Sequence, residues 1–182
     1  SKINHYFIID CCIILLGVSI NMDLLKYFLA DEAYWQGLSI VPILLLAYLF
    51  LGVYYNFSIW FKLSDKTYYG TIITAGGAVL TIVANYFLIP YFGYVGSSWA
   101  ALICYFSMTA ACYALGQRFY PIPYAIGKGL AYIAFTMGIV TAVNSVRIGS
   151  LWLSITFHIA VLVIFISTVY LIERRYFCQP II

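Results

Sequence analysis

Few side chains in this sequence could do chemistry, and most of them lie inside long apolar runs. Asp10 interrupts HYFIIDCCIILLGVSI, and His158 interrupts LSITFHIAVLV. An acid seven residues into an apolar helix lies roughly 10 Å below its end. A carboxylate at that depth is costly and by default marks an ion or proton pathway, the bland alternative being hydration near an interface. An imidazole can change charge near neutral pH. Standing alone it can also stay neutral, bonded to a backbone or Thr oxygen. Asp10 and His158 are therefore the candidates for ion coupling. A second set is uncharged: Thr74, Thr81 and Asn85 recur at steps of four and three with Gly70 and Gly77. Asn85 is its strongest member, because an amide surrounded by lipid must find partners. Asn56 and Lys62, in YYNFSIWFK, could stand at the mouth of a cavity and contact a phosphate or sugar. The plainer reading is that Lys62 snorkels to the membrane surface beside Trp60 as an interfacial anchor.

These residues do not compose a catalytic centre. The sequence has no glycine-rich phosphate loop, no metal-ligand spacing and no Ser/His/Asp set with supporting context. Of five cysteines, Cys11 and Cys12 are adjacent, and Cys104 and Cys112 fall in apolar helices. They read as small buried hydrophobes, with Cys178 in the tail a free thiol. Neither enzyme activity, a metal nor a cofactor is expected.

The elements that must position these side chains are membrane helices. Charged residues make up 8% of the chain and apolar residues 65%, whereas a soluble domain carries about 25% charge. From Gly70 to Gly116 the chain passes without one Asp, Glu, Lys or Arg, enough for two helices of the roughly 20 residues that span a bilayer. Between them Pro90 is expected to stop one helix, and Gly93 and Gly96 to let the chain reverse. Eighteen Tyr and four Trp suit two interfacial belts. The net charge of +3 gives no case for nucleic acid.

The pattern predicts an all-α, polytopic protein with six transmembrane helices, at about 3–22, 37–61, 69–90, 96–117, 127–146 and 150–172. None shows the short alternation of an outer-membrane barrel strand. Lys2, Lys62, Lys66, Arg118, Lys128, Arg174 and Arg175 fall on one side. Lys26 and Arg147 fall on the other, with Asp23, Asp31 and Glu32. Cations concentrate on the cytoplasmic face, so both termini are expected there. Segment 22–36 places Leu25, Phe28 and Leu29 at helical spacing, as an interfacial amphipathic turn with Asp31 as a cap. The two prolines of Phe119-Tyr120-Pro121-Ile122-Pro123-Tyr124 divide residues 1–117, holding four helices, from 118–182, holding an appended pair and a tail. No signal peptide opens the chain. Its first helix begins almost at Ser1, as expected of a piece of a longer protein.

Small residues make close helix packing possible in lipid. Gly70, Thr74, Gly77, Thr81 and Asn85 on the third span face Ser97, Ala100, Ala101, Cys104, Ser107 and Ala111 on the fourth. That stripe is either a tight seam or the wall of a polar cavity.

The runs PILLLAY (42–48), YYNFSIWFKLSDKTYYG (54–70) and NYFLIPYFGYVGSSWAALICY (85–105) resemble the polysaccharide flippases of bacteria. These belong to the multidrug/oligosaccharidyl-lipid/polysaccharide exporter superfamily. The likeness covers roughly Tyr27 to Tyr124 and is clearest at Asn85, Leu88-Ile89-Pro90, Gly93 and Gly96. The PIPY segment looks like versions serving O-antigen, capsule or exopolysaccharide export. The resemblance implies two lobes of six helices with an optional terminal pair. This chain would then be the last four helices of the second lobe plus that pair, lacking its N-terminal part. It implies a bacterial inner-membrane protein that moves undecaprenyl-pyrophosphate-linked oligosaccharide to the periplasmic leaflet by lobe rocking, commonly coupled to an ion gradient. A cationic cavity would match the pyrophosphate. The spans here hold no deep Lys or Arg, so that charge would come from Lys62 or from the missing half. Membrane lipids and the missing part of the same protein are the other expected partners. The alternatives are a drug/cation antiporter of the same superfamily, with Asp10 or His158 titrating, and a membrane interaction module without transport.

Overall fold

The computed structural model describes residues 2–28, 32–119, 126–145 and 151–177, and every element among them is helical. Helix α1 (Lys2–Ile20) is followed by the short α2 (Met22–Phe28). A 3-10 segment (Glu32–Ile40) then leads into α3 (Val41–Phe57). Pro42 stands in the first turn of α3, where its missing N–H costs nothing. After Ser58 the chain continues as α4 (Ile59–Leu63), then α5 (Tyr68–Phe119), α6 (Ile126–Ser145) and α7 (Leu151–Phe177). Five of these runs are long and apolar enough to cross a membrane: Ile3–Ile20, Gly37–Leu63, Tyr68–Phe119, Ile126–Ser145 and Leu153–Arg174. Large apolar side chains face outward along them, Ile82 at 70% and Leu171 at 66% exposure among others. Such a surface suits hydrocarbon and would aggregate in water.

Helix α5 has 52 residues and would be about 78 Å long if straight. It folds back instead. Gly93 has φ 56° and ψ −133°, a backbone state open only to glycine. A Cβ on Gly96 would lie 2.4 Å from the Leu88 carbonyl oxygen, and the Cys104 thiol donates to the Gly77 carbonyl at 3.2 Å. The helix is thus a hairpin with arms 68–92 and 94–119. Pro90 does not stop the first arm, contrary to the expectation from sequence: helical dihedrals continue past it. A proline so near the arm's end disturbs only the last turn, and the reversal falls on Gly93 alone. The expected segments fall on these helices, 69–90 and 96–117 both inside α5, although the second begins as a 3-10 turn and the sixth continues to Phe177. Asp31, Pro121, Pro123, Arg147 and Cys178 lie outside the described residues.

The hairpin is the clearest feature of the sequence, but the hub of the bundle is α1. Ile8, Cys12, Leu15, Leu16, Ser19 and Ile20 are buried along it, and it packs on α3, α6 and α7. Phe7 lies over Gly52 of α3. Helix α6 runs parallel to α1, with Ile8 against Gly129 and Cys12 against the Thr136 hydroxyl. Helix α7 runs antiparallel, with His5 against Glu173 and Gly17 against Leu162. Helix α3 packs most extensively on α5. It runs parallel to the second arm, Phe50 meeting Phe106 and Phe57 meeting Tyr113. Lys62, Lys66 and Arg118 therefore stand where α3 and the hairpin end. Lys128 and Arg174 stand where α6 begins and α7 ends.

Gly96→Leu should keep the hairpin from closing, because its side chain would be driven into backbone that cannot give way. A loss of roughly 1–3 kcal/mol or more is expected, read as a lower Tm in detergent micelles, whereas Gly76→Leu, with nothing near its missing Cβ, should leave Tm unchanged.

Candidate functional site

Two concave sites flank the α3–α5 pair. The first lies where α3 ends, α4 turns and the first arm of α5 begins. It is a cleft of about 330 Å³ lined by Tyr54, Ser58, Lys62, Thr67, Thr71 and Thr74 among others. Lys62 is exposed on its rim. It supplies a cation beside hydroxyl groups, chemistry suited to an anionic or sugar-bearing headgroup. Of the residues singled out from sequence, this cleft brings together Lys62 and Thr74. The Thr74 hydroxyl already donates to the carbonyls of Gly70 (2.9 Å) and Thr71 (3.0 Å).

The remaining candidates lie apart from it. Asn56 turns back on its own helix and donates to the Gly52 carbonyl at 3.2 Å. Thr81 does the same toward Gly77 at 2.9 Å. Asn85, higher on the arm, keeps a buried amide oxygen with no hydrogen-bond partner. Asp10 is exposed on α1. His158, 7% exposed, lies on the buried face of α7 with Ser154, Phe165, Val169 and Glu173.

The small-residue stripe packs as a seam only in part, around Gly77, while Thr74, Ser97 and Ala111 are exposed. A Cβ on Gly77 would meet Met108 at 2.6 Å, and Ala100 and Cys104 are buried opposite. Trp60 is not the interfacial anchor expected from sequence. It is 2% exposed, lies over Gly116, and its indole N–H donates to the Cys112 carbonyl at 3.2 Å. A ring that finds a flat bed on glycine and a carbonyl within reach in the next helix is better placed inside than in a headgroup layer. Phe119 stacks on it at 5.8 Å, and Lys66 sits 4.3 Å above the Phe119 ring.

The second site is an apolar groove between α1, α3, the second arm of α5 and α6, of about 210 Å³. Ile8, Val53, Phe57, Tyr113 and Ile133 form part of its wall. Phe106 and Leu130 on its rim are 51% and 48% exposed, so it opens to the surroundings. Which helices form this groove is not legible in the sequence, because its wall draws on helices that are distant along the chain.

Sequence reading also missed a polar cluster at the end of the bundle. His5 Nε2 lies 2.9 Å from Glu173 Oε1, and the Tyr132 hydroxyl donates to the same oxygen at 2.9 Å. In sequence His5 and Glu173 look like ordinary polar residues at span ends. Only the antiparallel pairing of α1 and α7 brings them together across 168 positions.

Comparison of the chain with protein-family models, with curated proteins and with solved structures gives no match.

Trp60→Phe keeps the packing on Gly116 but deletes the bond to the Cys112 carbonyl. A loss of about 1 kcal/mol is expected, measurable by denaturant unfolding in mixed micelles; an unchanged midpoint would mean the bond contributes nothing.

Proposed function

We propose that this chain is the C-terminal part of a bacterial inner-membrane flippase for undecaprenyl-pyrophosphate-linked oligosaccharide, with six crossings and both ends cytoplasmic. The observation that carries the reading is the apolar groove, bordered by α6 and open toward the lipid. A polyprenyl tail needs an apolar channel of this kind beside the protein, because it never leaves the hydrocarbon while its headgroup crosses. The Lys62 cleft, on the other side of α3, would meet the anionic headgroup at the cytoplasmic face, where Lys66, Arg118, Lys128 and Arg174 also gather under this orientation.

No covalent chemistry is required. Turnover needs headgroup and tail to bind inward- and outward-open states with different affinity, so that the cycle follows the shift in population. The central cavity of such a transporter lies between lobes, and in this reading the other lobe completes it. Asn85 would then present its unpaired amide oxygen to the sugar moiety.

Green fluorescent protein fused to either end should fluoresce and alkaline phosphatase at either end should be inactive; opposite results at the two ends would refute the orientation. In the intact protein, Lys62→Glu should lower export of lipid-linked oligosaccharide about tenfold, the effect of roughly 1.4 kcal/mol in headgroup binding, and Asn85→Leu should impair it with expression retained. Unchanged export in both would remove Lys62 and Asn85 from the substrate path, whereas pH-dependent dye efflux from the same cells would replace the flippase with the antiporter.

A further inference from the structure

Three side chains from three helices meet where α1 and α6 begin and α7 ends. Glu173 is 2% exposed and His5 14%. One carboxylate oxygen, Oε1, takes both contacts, from His5 Nε2 and from the Tyr132 hydroxyl, each at 2.9 Å. The other, Oε2, is buried without a hydrogen-bond partner, and so is His5 Nδ1. An ionised carboxylate has acceptor sites on both oxygens, and leaving one of them bare inside a bundle is costly. A purely structural ion pair would use both. An open oxygen beside an imidazole suits a proton that comes and goes: Oε2 can take one without displacing either contact at Oε1.

We propose that His5, Tyr132 and Glu173 form a proton-binding site that ties α7 to α1 and α6. A proton from the aqueous face binds Glu173 Oε2, the carboxylate loses its charge, and its hold on the imidazole weakens. No other bond forms or breaks. The link matters for α7 because that helix packs chiefly on α1. Elsewhere along α7, Phe165 stacks on Phe135 at 6.1 Å and Leu162 lies against Gly17. Among the described side chains, the titratable and charged groups around the site are these. On α1, Tyr6 lies beside His5 at 6.0 Å, and Asp10 is exposed farther along. On α6, Lys128 is exposed one turn before Tyr132, and on α7 Tyr170 and Arg174 are exposed. The site needs neither substrate nor transport, so it stands or falls separately from the flippase reading.

The test is thermal unfolding and hydrogen exchange of the full chain in detergent micelles from pH 8 to pH 4.5. The wild-type Tm should fall in acid by several degrees, and amide protection in the last turns of α7 should drop with it. Glu173→Gln, which keeps the acceptor oxygen but cannot titrate, should flatten the fall and hold protection constant. Tyr132→Phe removes one donor to the ionised carboxylate, so its acid fall should begin at higher pH than in the wild type. An acid fall in Glu173→Gln equal to that of the wild type would overturn the proposal. Should Glu173→Gln fail to fold, Tyr132→Phe decides alone, and an unmoved acid fall in that variant would overturn it equally.

Discussion

The bundle is governed by one constraint: a polar group surrounded by hydrocarbon has no water to turn to and must find its partner inside the protein. Many hydroxyls obey it locally, the buried Ser19 hydroxyl being an exception. Thr74, Thr81, Thr136, Thr141 and Thr168 each donate to the carbonyl four residues back, and Ser58 and Ser98 to the carbonyl three back. This answer leaves such residues free to face lipid, protein or a cleft without penalty. It explains why stripes of Thr and Ser are weak evidence for a cavity. Longer-range solutions are rarer and more informative: Trp60 reaches Cys112, Cys104 reaches Gly77, and Thr109 bridges to the Phe50 carbonyl at 2.8 Å. All three fasten α3, α4 or the arms of α5 to one another.

Much of the fold was legible because hydrophobicity and chain reversal are local properties. The apolar runs mark helices to within a few residues, and Gly93 and Gly96 mark the hairpin tip because a left-handed residue and a close backbone approach both demand glycine. The candidate site was less legible. Lys62 and Thr74 share a cleft because α4 turns back onto the start of α5, a short-range event that the charge pattern hinted at. Trp60 was misplaced because aromatic residues near a span end serve belts and cores alike, and only the position of Gly116, 56 residues on, decides between them. The walls of the apolar groove and the His5–Tyr132–Glu173 cluster were invisible, since each depends on which helices are neighbours. No periodicity within one helix encodes that choice.

The two flanks of the bundle are built on different physics, and α1 and α3 join them. On the hairpin flank, Gly77, Ala100 and Gly116 let helices approach until side chains such as Met108 and Trp60 rest on bare backbone. Contact of that kind is insensitive to charge and gives a rigid unit. On the other flank, the last helix carries a buried acid at one end and a buried imidazole, His158, 15 residues away, or about 22 Å by helical rise. Burying ionisable groups is the costlier way to fix a helix, because each must be matched or neutralised. A helix needed only for anchorage would have no use for it, since its apolar surface already holds it in the bilayer. The asymmetry therefore separates a static scaffold, α3 with the hairpin, from a terminal element whose seating responds to its surroundings. It also places the responsive element beside α6, which forms one wall of the groove.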